Sequence, residues 1–376
     1  TILGAIVFSG AIVRFKKRLD QCKDRRKAKG KRQKVKGEKL KDAGMLKVIE
    51  DEKLTARYAR QFAGAFRPFM DEKIRVMLGH QGASFSAKVS WSKRLGIWIY
   101  SHSAKNIRYW NAFGLGKPQA SGHLPITAEI NFPRVGIDRK TGGAFARDAW
   151  NHIYVIHRGK IGGGKKGIGK TLFEENYRGN WAWMEDGDSL AEVAVIGALQ
   201  SPRFALQAAQ FVRKIEKLKS AASFSSQTSL NFSEAAFHEE LVGSLPSLSP
   251  NNIADACDHD LIIHQLAALL CRWKFKVAND TNVELFVTQP ASDGLSHMIA
   301  VCADTREKTV MAVAAKLLLQ KSVQAGHSSP ILLLPEDKVE QYVRPMRRLH
   351  IDVLSFRVEG EKIFFPDLGK IRPDPN

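Results

Sequence analysis

Cysteine is scarce and scattered: Cys22, Cys257, Cys271 and Cys302 are all there are in 376 residues, and no two form a C-x-x-C pair. That excludes a zinc knuckle and a disulfide framework, and it suits a reducing cytosol, so a cytoplasmic location is expected. Long apolar runs are lacking as well. The opening TILGAIVFSGAIVRF falls short of the roughly 20 residues of a membrane span. Its basic residues follow the apolar part, the reverse of a secretory signal, so neither anchor nor leader is expected. Acidic residues are the third deficit: 38 against 58 Lys and Arg, a net charge of +20. Such an excess favours a polyanionic partner through counterion release. Nucleic acid is the expected partner, DNA ahead of RNA, with no membrane partner; a homodimer or a partner subunit stays open.

What is present supports a real core. Hydrophobic residues make up 44% of the chain, and at roughly 100 to 200 residues per domain two or more domains are expected. Residues 1–44 end in FKKRLDQCKDRRKAKGKRQKVKGEKLK, a self-repelling basic run read as a disordered segment apart from the folded unit. Well-patterned sequence begins at Met45. Leu54, Tyr58, Phe62, Phe66 and Phe69 recur at helical spacing, predicting an amphipathic helix from about Glu50 to Leu78, broken at Pro68. VSWSKRLGIWIYS, PITAEINF, GGAFARD and HIYVIHRGKI then read as strands of a mainly antiparallel sheet between about 85 and 185. GDSLAEVAVIGALQ and SPRFALQAAQFVRKIEKLKS both read as helices, the second with Ser201 as its cap and Pro202 in its first turn. The Ser-rich stretch 220–252 reads as a linker. The organisation is therefore a basic segment 1–44, an α+β nucleic-acid-binding domain 45–219, a linker 220–252 and an α/β domain 253–376.

Gly164 to Thr171 matches the phosphate-binding pattern G-x-x-x-x-G-K-[ST]. A P-loop needs a buried strand running straight into the glycines and a helix running out. Here six residues separate IYVIH from Gly164, LFEENY is short, and ILLLPED, the one candidate for a second acidic strand, carries Pro335 before its acids. The preferred reading is a glycine turn whose Arg158, Lys160, Lys165, Lys166 and Lys170 follow a phosphate backbone; a P-loop NTPase is the alternative. His152 and His157 sit on opposite faces of a strand and read as structural. Arg108, Tyr109 and Trp110 suit base stacking or core packing, and Glu185, Asp186 and Asp188 suit a metal or a solvated turn.

The C-terminal part gives a helix (DLIIHQLAALLCRW), three strands (KFKVAN, NVELFVTQ, SHMIAVCA) with turns at Asn279-Asp280 and around Pro290 to Gly294, then helix, strand, helix, strand. This α-β-β-β-α-β order, with these local sequences, resembles the restriction-endonuclease-like PD-(D/E)XK superfamily over about residues 253–369. The resemblance implies two carboxylates converging on magnesium beside a lysine that activates water. Glu284 stands where Asp is usual, Ala300 and Cys302 where Glu and Lys would stand, Lys316 where Gln would be, and His264 and Gln265 in place of an acid on the first helix. Ala has no ligand oxygen, and a thiol is a poor partner for hard magnesium. Two readings follow: a degraded endonuclease-like module that holds DNA in a prokaryotic restriction or defence system, or a magnesium-dependent endonuclease whose site has migrated to Glu284 and Asp304 as metal ligands with Lys316 beside them.

Overall fold

The computed structural model describes residues 45–371 except 81–82, 105–107, 163–166, 224–235, 245–252, 281, 289–294 and 324–327. The basic segment 1–44, most of the Ser-rich stretch and the turn at 290–294 thus lie outside the described residues. The chain is a mixed α/β protein built on several sheets.

Strand β1 (Leu46–Val48) leads into α1 (Glu52–Ala65). The Asp51 carboxylate caps α1 by accepting from Leu54 N at 2.8 Å. Helix stops well short of Leu78: after a single 3-10 turn at Arg67–Phe69, β2 (Glu72–His80) begins. Ile74, Val76 and Leu78 are buried between exposed Arg75 and Met77. That period of two belongs to a strand, and it outweighs the helical spacing once Pro68 has ended the helix.

Next come β3 (Ala83–Ser92), β4 (Ile97–Ala104), β5 (Arg108–Leu115), β6 (His123–Leu124), β7 (Ala128–Glu129) and β8 (Phe132–Pro133). They form a sheet in the order β6-β2-β3-β4-β5-β7, with β8 also on β5. Only the short β2/β6 contact is parallel.

A closed barrel follows, β1-β11-β12-β10-β9, from β9 (Gly143–Arg147), β10 (Ile153–His157), β11 (Asn180–Asp186) and β12 (Ser189–Ala198), with the short α2 (Lys170–Asn176) between β10 and β11. Residues 187–200, expected as helix, are mainly strand. A tight turn with Gly187 at φ +65° starts a ladder that runs from Asp186↔Ser189 to Asn180↔Val195. Val193 and Val195 belong to one core cluster, Ala194 and Ile196 to another. A strand buried on both faces shows no alternation, and its apolar run reads like a buried helix.

Helix α3 (Phe204–Ser223) starts where Ser201 Oγ accepts from Arg203 N at 3.2 Å. It closes an aromatic core with α1 and the sheet: the Phe62 ring meets Phe132 at 4.9 Å, Phe66 at 5.4 Å and Phe204 at 5.6 Å between centroids.

The C-terminal part runs α4 (Ile253–Arg272), β13 (Lys276–Ala278), β14 (Leu285–Thr288), β15 (Leu295–Val301), α5 (Glu307–Val323), β16 (Ser329–Pro335), α6 (Val339–Arg348), β17 (Asp352–Glu359) and β18 (Lys362–Phe364). The strands lie in sequence order in one sheet. β15, β16 and β17 are parallel neighbours and the other pairs are antiparallel. Leu266 and Leu270 of α4 share a cluster with Leu285, Val287 and Ile299, whereas Val310, Ala314 and Leu317 of α5 join Met298, Ala300 and Cys302. Helix α4 therefore covers one face, and α5 together with Tyr342 and Met346 of α6 covers the other.

The two parts share a core. Ile253 and Cys257 of α4 belong to the barrel's apolar cluster. Arg203, just before α3, grips Asp258 through two hydrogen bonds at 2.8 and 2.6 Å. Removing the centre of the aromatic core is expected to cost about 3 to 5 kcal/mol, because neighbouring rings collapse only partly into the void. Urea unfolding of Phe62→Ala against the native protein measures it.

Candidate functional site

The basic loop is less available than its sequence suggests. Arg158 is only 9% exposed, and its guanidinium forks onto Asp186 at 2.7 and 3.1 Å. Its remaining nitrogen donates to the carbonyls of Thr141 and Gly143. This arginine braces the barrel and cannot reach a phosphate. Gly159 follows at φ +90°, where an added Cβ would lie 2.8 Å from the Phe173 ring. Ile161 and Ile168 are buried and bridge antiparallel, pinning the two arms of the loop together. Lys160 is exposed, and Lys170 lies 3.4 Å from Glu174. Lys165 and Lys166, with Gly164, lie outside the described residues.

The surroundings are not those of a P-loop. β10 lies antiparallel between β9 and β12, and α2 has seven residues. The parallel strand and long helix that aim amides at a nucleotide are missing from the described residues around Thr171. Among the acids of the neighbouring turn, Asp186 is committed to Arg158 and Arg139. His157 is fully buried and pushed down to about 4, chiefly by that burial. Trp110 is buried and packs edge-on against Tyr100 at 5.3 Å, so the core claims it.

Glu284, Asp304 and Lys316 do come together. All three line one cavity of about 410 Å3, with His259, Asp260, Arg306 and Thr309. Glu284 immediately precedes β14; its Oε2 accepts from Val301 N at 2.6 Å and its Oε1 faces His259 Nε2 at 3.1 Å. His259 Nδ1 faces Asp260 Oδ1 at 3.4 Å, and Asp260 Oδ2 accepts from Lys214 Nζ at 2.6 Å. Lys214, 2% exposed on α3, also donates to the carbonyls of Arg178 and Val242. A line of alternating charge, Lys214, Asp260, His259, Glu284, thus runs from the N-terminal part into the cavity.

Burial alone would lower the His259 pKa; the Glu284 charge, then hydrogen bonds to Asp260 and Glu284, outweigh it and push it up to about 10. Burial would raise the Asp260 carboxyl, and Lys214 and His259 bring it down to about 2. Asp304 accepts from the Arg306 side chain and from Thr309 Oγ1, and the bond from Arg306 holds its carboxyl low.

The positions that the resemblance marks already have partners within the protein. Both Glu284 oxygens already have donors, and Asp304 is held by Arg306 and Thr309. Ala300 and Cys302 sit in the apolar layer beneath α5. The Cys302 thiol is pushed up to about 12, first by burial and then by Asp304 and Glu284, so it stays protonated. Among the described residues no group of three or more His, Cys, Asp and Glu is arranged around a common point for a metal. Magnesium, which demands oxygen ligands in near-octahedral array, does not fit the residues present.

The sequence pointed to His264 and Gln265 on α4, but the cavity takes His259 and Asp260 from the preceding turns. His264 reaches only Glu239, at 3.8 Å. The available signal was Asp258-His259-Asp260, three consecutive polar residues on that helix.

Two outcomes are expected. Arg158→Ala leaves the buried Asp186 carboxylate with only the half-exposed Arg139 as its cation, and should lower unfolding free energy by about 3 kcal/mol without weakening any nucleic-acid binding by the folded protein; urea titration and a binding isotherm on one preparation check both. The second concerns pH. His259 is more basic folded than its ordinary value of 6.5, so its stabilisation is complete below about pH 6.5 and disappears as pH rises through about 10. Asp260 has the opposite sign, stabilising above about pH 4 and failing as pH falls toward 2. Unfolding measured at pH 6, 8 and 10 should show a decline that His259→Asn removes.

No protein-family model matches this chain, and neither a curated protein nor a solved structure matches it.

Proposed function

We propose that this chain is a nucleic-acid-binding protein, with DNA ahead of RNA, whose C-terminal part keeps a restriction-endonuclease-like fold with a degraded catalytic site. The observation that carries the reading is Glu284. It sits beside the paired strands β14 and β15, where the superfamily pattern sets its first acid, yet both its oxygens are spent on His259 and Val301 N. The partners it would need are Ala300 and Cys302, both buried in an apolar layer. The sheet covered by α4 on one face and by α5 and α6 on the other supports the fold assignment, and the net charge of +20 supports a polyanionic partner. In this reading the protein holds or recognises DNA within a prokaryotic restriction or defence system, and the endonuclease-like part serves assembly or binding. The context within such a system rests on the resemblance alone.

Supercoiled plasmid with magnesium or manganese tests both halves. The native protein should bind, with affinity falling roughly a hundredfold between 50 and 200 mM salt, as for about four neutralised phosphates. It should leave the plasmid intact, and Glu284→Gln should behave identically. Metal-dependent nicking that disappears in Glu284→Gln would establish a migrated active site and reverse this reading.

A further inference from the structure

Acidic residues are unevenly spread along the chain. They number 38 in 376, yet none occurs from Lys73 to Ala128, a stretch that carries eight Lys and Arg. This stretch builds the sheet from β2 to β6, whose cations therefore have no carboxylate of their own to pair with. Two are taken up at its margins: Lys117 meets Glu72 at 2.6 Å and Arg94 meets Glu361 at 2.9 Å. Lys73, Arg75 and Lys88 make no ion pair among the described residues.

These three lie together. In the β2/β3 hairpin Ile74, Val76, Leu78, Ala87 and Val89 turn into the apolar cluster with Trp98 and Trp110. The alternate positions project to the other side. Lys73, Arg75 and Met77 of β2 thus share an open face with Ser90, Lys88 and Ser86, their register partners on β3. All but Ser90 are exposed.

Arg75 and Lys88 stand directly opposite each other. Arg75 O accepts from Ser121 N at 2.9 Å, and Met77 N donates to Gly122 O at 3.0 Å. The backbone groups of residues 75 and 77 therefore point toward β6 and away from β3. Arg75 and Lys88 form a pair without mutual backbone hydrogen bonds, the kind in which facing side chains stand closest, with Cα atoms about 4.5 Å apart. Like charges in that position repel and destabilise the ladder. The hairpin keeps this repulsion with no acid beside it, and an anion from outside relieves it.

The rest of the face indicates which anion. Met77 is the one apolar side chain among the six, whereas a protein partner calls for an apolar centre. The hairpin's rings belong to the other side, where Phe85 lies 6.0 Å from both Tyr100 and Trp110. Nothing on the open side can stack on an unpaired base. Cations set among short hydroxyl groups suit phosphate oxygens, and a duplex turns its phosphates outward.

We propose that the open face of the β2/β3 hairpin binds the sugar-phosphate backbone of a nucleic-acid duplex through Lys73, Arg75 and Lys88. Such contacts supply affinity and position without base choice. The inference rests on the nucleic-acid reading above and moves its contact from the loop 158–170 to this sheet.

Fluorescence anisotropy with a labelled duplex of about 20 base pairs, titrated across a salt series, measures the contact. Arg75→Ala and Lys88→Ala should each weaken the duplex about fivefold at about 0.15 M salt and reduce the slope of log affinity against log salt by about one. Lys88→Glu should weaken it further, yet unfold at a higher urea concentration than the native protein, because it gives Arg75 a carboxylate partner. A residue kept only for the fold would not move those two readouts in opposite directions. Lys308→Glu, the same charge change on α5, should leave affinity nearly unaltered. If Lys88→Glu and Lys308→Glu weaken binding equally, or neither does, the face is refuted while nucleic-acid binding stands. If polyglutamate of equal charge binds as tightly as the duplex and loses as much affinity in Arg75→Ala, the face fits an acidic protein and the proposal is overturned. If the native protein does not bind the duplex, the nucleic-acid reading falls and takes this face with it.

Discussion

Lys214 is the constraint on which the arrangement depends. An ammonium group this deeply buried is costly to desolvate, and each of its three N–H donors needs an acceptor. Those donors go to Asp260, to the Arg178 carbonyl and to the Val242 carbonyl. Each acceptor comes from a different segment: α4, the approach to β11, and the described part of the 220–252 stretch. None can shift without stranding a charge, so α3 and α4 are fixed relative to each other. The Arg203 grip on Asp258, two residues before Asp260 on α4, repeats the same logic nearer the surface.

The consequence reaches the cavity. With one oxygen on Lys214, Asp260 turns the other toward His259, and His259 holds Glu284. The positive charge beside that carboxylate is then a protein side chain. A site that would bring two acids onto a cation in an endonuclease instead closes as an internal salt-bridge chain. This is why the proposed function places binding ahead of catalysis.

Much of the architecture was legible in one dimension. The stripe through Phe204, Phe211 and Ile215 marked α3, and the apolar helices and strands of the C-terminal part stood out between turn residues. Two stretches were misread for definable reasons. Residues 72–80 lie beyond Pro68, which ends the helical stripe of 54–69, and Ile74, Val76 and Leu78 alternate with exposed neighbours at a strand's period. Residues 189–198 are buried on both faces, and a strand without alternation has no period to read. The site was half legible: Glu284, Asp304 and Lys316 do share a cavity, but their partners did not announce themselves. Arg158 reads as a free cation because its partner Asp186 lies 28 residues away in sequence.

The sequence by itself determined the excess of positive charge, the lack of a thiol cluster for metal or disulfides, and most helix and strand positions. These follow from residue type and local spacing. Tertiary structure alone decided which charges remain for a partner. Arg158 and Lys214 are spent inside the fold, whereas Arg75 and Lys88 stay at the surface. That division is set by burial and by carboxylates brought close from distant segments, because a charge's worth depends on its solvent and its neighbours in space.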